Sequence, residues 1–503
     1  MEDLKTNPKY GRWWYSAHPE TTFQGVLQIG KRDLPELVIH GKQSDLPLFD
    51  LPWGPSTLFG RLTTETTLRE VSVLNAHRLR GPNSTNPPDP ERETEVAFWT
   101  NHILIGAHVE SETTPVADRM LFRLTGFDEW CDATGFSGNH SISAWSPELP
   151  KDQPRLETVD LSFRSSVTPY FDIGGGRQLR FRSEYRGPQH FRNEKEITLR
   201  EKNGIEIAFP ERVSVETAVA EARLWQTFIA LGLRLPVFID RIVLARDDGG
   251  DLFHTMPLVV PDHRRRELPA KERYRQDILF NQSKLGGRIG ERLKAWREIQ
   301  ERIDMSVLLF RSTLYLQDVY IHTHVPTYLQ ALEVFHHELY DDDKFPNTDA
   351  KRSVVRALRQ AIPQDLDADV RKEICNRLSY IGSATYLERL QLLFQRYPKA
   401  LGPLFPRGEE DLKKLRNARN FLTHYGEQRE IDKEFMSSRD VYVVGENARL
   451  FLEVCLLGAM GMTDDEILAL IKGFGPYRER VAEIKWETAR SDRASTPASE
   501  SKE

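Results

Sequence analysis

Short runs of alternating apolar and polar residues fill the first half of the chain, punctuated closely by Gly, Pro, Asn and Asp. Thr22 to Ile29 and Glu36 to His40 are two such runs. Ser56 to Leu62, Val71 to Leu74, Glu95 to Ile105, Met120 to Leu124 and Leu179 to Tyr185 are others. Alternation with a period of two lays one face of a strand on a core. Repeated at this spacing, it predicts antiparallel sheets in a sandwich or barrel. Pro82 to Arg92 carries four prolines and predicts a loop. One helix interrupts the strands: Ser214 is its expected N-cap, and Val215, Val219, Ala222, Phe228 and Ile229 form its apolar stripe as far as Gly232. Pro236 to Ala245 returns to strand.

The period changes after Pro261 to Pro269, a charged, proline-flanked stretch that predicts a domain junction. Helices are expected over Arg273 to Gln282, Ile289 to Thr313, Thr323 to Tyr340, Ala350 to Ala361, Leu366 to Leu378, Ala384 to Phe394, Glu409 to Tyr425, Asp440 to Ala459 and Asp464 to Phe474. The fold class is therefore α+β and multidomain, a β-rich N-terminal domain followed by an all-α bundle. The expected divisions are 1–262 for the β-rich domain, 263–288 for a linker and first helix, 289–484 for the helical domain and 485–503 for a disordered, Ser- and Glu-rich tail.

Composition narrows the class without naming a chemistry. With 503 residues, 39% hydrophobic and 29% charged, the chain has room for large cores. Cys131, Cys375 and Cys455 form no C-x-x-C pair, which points to a reducing, cytoplasmic setting, with Cys375 and Cys455 expected in the core. The polar N-terminus is unlike a signal peptide, and no apolar run is long enough to span a membrane. The formal net charge of -6 means that any nucleic-acid contact must come from a local basic patch.

The helix over Glu409 to Tyr425 supplies such a patch. Glu409, Glu410 and Asp411 complement its positive end, Leu412, Leu415, Ala418 and Leu422 form its buried stripe, and Gly426 is the expected stop. Lys413, Lys414 and Arg416 make it basic and are the expected RNA-binding side chains. Arg419, Asn420 and His424 fall near its end. An imidazole can move a proton at neutral pH, and a guanidinium can hold charge on phosphate oxygens, so the set suits RNA phosphodiester cleavage without a metal or other cofactor. At about 100° per residue, Asn420 and His424 lie roughly 40° apart, but Arg419 and His424 lie roughly 140° apart. Either the arginine reaches around, or the last turn is distorted, or a dimer supplies the two groups from opposite subunits.

The spelling Arg419-Asn420-x-x-x-His424 resembles the active-site motif of the HEPN ribonucleases. Tyr328 to His337 is similar to the early helix of the HEPN domain of ApeA-type anti-phage proteins, and Asn447 to Met462 resembles its closing helix. Gly11-Arg12-Trp13-Trp14 followed by Phe23 to Leu27 is similar to the start of that family's N-terminal domain. The resemblance implies an endoribonuclease effector of abortive infection, a toxin restrained until an unknown phage trigger appears. A ribose 2′-OH would attack the adjacent phosphate and leave a 2′,3′-cyclic phosphate. The resemblance further implies a homodimer through the HEPN domain, an RNA partner with tRNA one possible class, catalytic roles for Arg419, Asn420 and His424, and a supporting role for Glu333. The alternative is a catalytically inactive HEPN scaffold that binds RNA or an antitoxin.

Other groupings read more simply. His322, His324, His336 and His337 lack the spacing of a metal site, and Asp341 to Asp343 reads as a solvated loop. Asp172 to Arg177 and Gly286 to Gly290 lack the lysine of a phosphate loop; the first reads as a hairpin turn. Arg177, Arg180, Arg182 and Arg186, interleaved with Phe181 and Tyr185, are either solvated arginines or an RNA-facing sheet. Trp13, Trp14, Trp53 and Trp99 are expected in the core rather than in a ligand groove.

Overall fold

The computed structural model describes residues 8–29, 35–42, 55–63, 68–80, 93–132, 134–142, 157–164, 167–186, 200–249, 253–261, 275–316, 320–340, 348–378, 384–423 and 438–495. All of the expected proline-rich loop from Pro82 to Arg92, Trp53, Asp341 to Asp343 and nearly all of the expected junction lie outside the described residues. Contacts divide the chain into one unit of Met1–Glu272 with Phe280–Lys294 and another of Arg273–Leu279 with Ala295–Glu503.

The first unit is β-rich. Strands β1 (Lys9–Tyr15), β2 (His18–Ile29), β3 (Pro35–Lys42), β4 (Ser56–Thr63), β5 (Leu68–Arg80) and β6 (Glu93–Ile105) pair in the order β6-β3-β2-β1-β4-β5. Strand β5 also pairs with β6, which closes six antiparallel strands into a barrel. Trp13, Tyr15, Phe23 and Phe98 fill it together with Leu27, Leu37, Val71 and Val73. Two glycines admit the Trp13 indole. A Cβ at Gly60 would stand 2.3 Å from its ring, and one at Gly25 would stand 2.8 Å from Cδ1. The Trp13-to-Gly25 pattern in the sequence is thus a packing requirement.

Strand β6 continues past its pairing with β3, and there it takes β14 (His254–Val259). From β14 an open antiparallel sheet runs through β13 (Ile239–Arg246), β7 (Pro115–Leu124), β12 (Arg200–Ser214), β11 (Gln178–Arg186) and β10 (Phe171–Asp172). Strands β8 (Phe136–Ile142) and β9 (Glu157–Phe163) form a separate hairpin. A short helix, α1 (Phe127–Cys131), follows β7. Helix α2 (Val215–Leu233) is capped by the Ser214 side chain, which accepts from Thr217 N, and it packs on β7, β12 and β13.

Two expected boundaries shift. Instead of a helix over Arg273 to Gln282, a 3-10 turn at Arg275–Asp277 precedes α3 (Gln282–Leu285). Between them Phe280 is pinned against Phe228 of α2 at 5.1 Å, and its amide donates to Gly232 O. That anchorage carries the strand-rich unit beyond residue 262, through Lys294. The expected long helix from Ile289 is broken into α4 (Ile289–Gln300) and α5 (Asp304–Tyr315), because the Glu338 carboxylate accepts the amides of Met305 and Ser306 and so caps a new start.

The second unit is helical: α6 (Ile321–Leu339), α7 (Thr348–Ala361), α8 (Ala368–Leu378), α9 (Tyr386–Arg396), α10 (Pro398–Leu401), α11 (Glu409–Thr423), α12 (Ser438–Ala459), α13 (Asp464–Ile471) and α14 (Gly475–Ser495). Helix α12 buries Phe451 to Leu457 without interruption and packs chiefly on α6. The segment from 485, expected as a disordered tail, is helical as far as Ser495, because it continues a helix held at Arg480 and Ile484; 496–503 lie outside the described residues. Cys455 is buried as expected. Cys375 is only half-buried, since α8 buries no residue. No helix among the described residues is long and apolar enough to cross a membrane.

Candidate active site

Helix α11 presents the arginine. Leu412, Leu415, Ala418 and Leu422 are buried, as the stripe predicts, and this fixes which way the other residues of the helix face. Arg419 flanks Ala418 and is half-buried, whereas Asn420 is exposed. The described helix ends at Thr423. His424 and the expected stop at Gly426 lie outside the described residues.

Three helices meet at Arg419. Its Nη2 donates to Glu333 Oε2 of α6 at 3.0 Å, and its guanidinium lies 5.4 Å from the centre of the Tyr386 ring of α9. Arg389, also on α9, donates from Nη1 to the other Glu333 oxygen at 2.9 Å. The Tyr386 hydroxyl donates to Leu329 O at 3.1 Å, which ties the ring to α6. Burial pushes the Tyr386 phenol up, and the Glu333 charge pushes it further, so the ring stays a neutral platform. A guanidinium held by a carboxylate on one side and an aromatic ring on another loses little further freedom on meeting a phosphate.

One carboxylate between two guanidiniums leaves a local excess of one positive charge. Arg419 keeps 31% of its side-chain surface exposed. Its one hydrogen bond to another described side chain is to Glu333, so the rest of its donor fork remains for an anion.

The three basic side chains upstream are engaged locally. Lys413 pairs with Glu409 at 2.7 Å, Lys414 with Asp411 at 3.5 Å, and Arg416 donates to Asn417 Oδ1 at 2.7 Å. The two lysine side chains keep 45% and 44% of their surface exposed, and ion pairs between side chains this solvated within one helix are weak enough to exchange for phosphate. The structure thus brings Arg419 and Glu333 together; Asn420, the next residue along the helix, is exposed.

Sequence reasoning missed Tyr386 and Arg389. They stand three apart on one face of α9, whose start is set by a capping box between Thr385 and Glu388. That box was legible; the pairing with a helix more than fifty residues upstream was not. Of the histidines on α6, His322 and His337 are exposed, His324 is half-buried and His336 is buried. Among the described residues no three His, Cys, Asp or Glu converge as metal ligands.

Comparison with known families places both units. A family model described as ApeA N-terminal domain 1 matches residues 8–296, and one described as Apea-like HEPN matches residues 327–466. No curated protein and no solved structure matches the chain.

Proposed function

This chain belongs to the ApeA family, and from that premise we propose that it is a metal-independent endoribonuclease of anti-phage defence, its helical unit the part that cuts. The observation that carries this reading is the anchorage of Arg419 by Glu333, Arg389 and Tyr386, which fixes a charged fork at a solvent-accessible point.

In this reading the ribose 2′-oxygen attacks the adjacent phosphorus and the bond from phosphorus to the 5′-oxygen breaks. His424 takes the proton from the 2′-OH or returns one to the departing 5′-oxygen. Arg419 compensates the charge that builds on the phosphoryl oxygens. Asn420, exposed one position on, orients His424 or the phosphate. Lys413, Lys414 and Arg416 give up their local partners to the RNA backbone. A dimer through the HEPN unit would complete the site by pairing the arginine of one copy with the histidine of the other. Release of this activity on infection would make the protein a toxin to its own cell.

The test is incubation of the purified protein with an RNA and with the DNA of the same sequence. Cleavage of RNA alone, with 2′,3′-cyclic phosphate and 5′-hydroxyl ends, is expected. Binding without cleavage would replace this reading with that of an inactive RNA-binding or antitoxin-partner scaffold.

A further inference from the structure

The face of the open sheet turned away from α2 carries a cluster that the nuclease reading does not use. Along β7, β12 and β11, Met120, Phe122, Ile205, Ile207, Leu179 and Phe181 point into the core. By the strand alternation, Arg119, Glu206, Arg180 and Arg182 stand on the other face. Glu206 is buried. It accepts two hydrogen bonds from Arg180 Nη2, at 2.7 and 2.9 Å, and one from the Tyr170 hydroxyl at 2.6 Å. Arg119 and Arg182 lie 3.7 and 3.6 Å from the same carboxylate.

Three guanidiniums around one carboxylate leave a local excess of two positive charges on a chain whose net charge is -6. The side chains of Arg119 and Arg182 keep 37% and 44% of their surface exposed. Each of two guanidiniums also lies against a ring: Arg180 is 4.4 Å from the Tyr170 centroid, and Arg119 is 4.5 Å from that of Phe253, itself an exposed residue. Glu206 therefore acts as a keystone that gathers arginines rather than as a partner that neutralises them.

We propose that this sheet face binds single-stranded RNA. Arginines on adjacent strands offer planar forks to successive phosphates. Aromatic rings beside them on an open sheet provide the stacking that single strands use and a folded acidic peptide does not. The choice of RNA over DNA rests on the proposed reading of the helical unit; the contact itself does not. The surface would give the β-rich unit a role in capturing or sensing RNA.

The test uses the full-length protein and a fluorescent 2′-O-methyl RNA, which cannot be cleaved by 2′-OH attack. Wild type is expected to bind with a steep salt dependence. R119Q/R182Q is expected to bind about tenfold more weakly, with a salt slope shallower by about 1.4, the value for two lost phosphate contacts on a single strand. Should that variant fail to fold, photo-crosslinking of wild type to 4-thiouridine RNA is expected to mark the peptides that contain Tyr170 or Phe253. Unchanged affinity and slope in the folded variant, or crosslinks confined to the helical unit, would overturn the proposal. So would a polyglutamate of matched charge that competes as well as RNA. A protein that binds here but cuts nothing would separate the failure of the nuclease reading from that of this one.

Discussion

Glu333 and Arg419 lie on different helices and in different sequence motifs, yet they share a hydrogen bond of 3.0 Å, and Arg389 holds the far oxygen of the same carboxylate. If this clamp orients Arg419 for the phosphate, Glu333→Gln should lower kcat several-fold while moving KM less. Glu333→Asp should recover part of the loss. A hydrogen bond to a charged group contributes about 1.5–3 kcal/mol, so the Gln variant should also lose stability in that range or less. Paired kinetic and urea-unfolding measurements check both. An unchanged kcat would remove Glu333 from the site.

Arg419→Lys should be nearly as damaging as Arg419→Ala to cleavage. Lysine keeps the charge but loses the planar fork that meets Glu333 and lies near Tyr386. Single-turnover rates on one RNA check this. A lysine variant with wild-type rates would mean that charge alone suffices.

The barrel offers a test of packing. Gly60→Ala drives a methyl into the Trp13 ring, since the added Cβ would stand 2.3 Å from it. Overpacking of this kind costs about 1–3 kcal/mol. Thermal unfolding should show the loss.

The keystone carboxylate sets a pH dependence. Burial pushes the Glu206 carboxyl up, but hydrogen bonds from Tyr170 and Arg180 and the charges of Arg180 and Arg182 outweigh it, and the net shift is downward from 4.5. A depressed carboxyl contributes stability that is fully present above its unfolded value and is lost as pH falls through the folded one. Wild type should therefore lose this contribution below about pH 4.5. Glu206→Gln should be less stable at pH 7, and its stability should change less over the acid range. Unfolding curves from pH 3 to 7 check the sign.

Much of this architecture was legible in the sequence, for particular physical reasons. The α11 stripe was readable because Leu412, Leu415, Ala418 and Leu422 repeat at helical spacing. Strands β4, β6 and β11 were readable from their alternation. Strand β12, the longest, was not. Its Asn203-Gly204 pair imitates a hairpin turn, and Pro210 lies inside it. A Cβ there would stand 3.2 Å from Phe122 O of the neighbouring strand, a tight fit that favours the glycine. Of the proposed site, Arg419 stood out by its chemistry and by a family resemblance, and Glu333 came from the resemblance alone. Tyr386 and Arg389 depend on tertiary contacts that no local pattern encodes. The keystone role of Glu206 was equally hidden, as was the part of Arg119, although Arg180 and Arg182 stood out.

Metal removal gives a direct check on the chemistry. With the imidazole and guanidinium carrying the reaction, EDTA should leave the rate of RNA cleavage unchanged within error, and added Mg²⁺ should not restore any variant. A rate abolished by EDTA and recovered by a divalent ion would move the chemistry to another site.

The most direct test of the central claim is sequencing of RNA ends from cells that express wild type and His424→Ala at equal, folded levels. The account predicts new 2′,3′-cyclic phosphate ends and growth arrest with wild type, and neither with the variant. Identical RNA ends from the two proteins would contradict it.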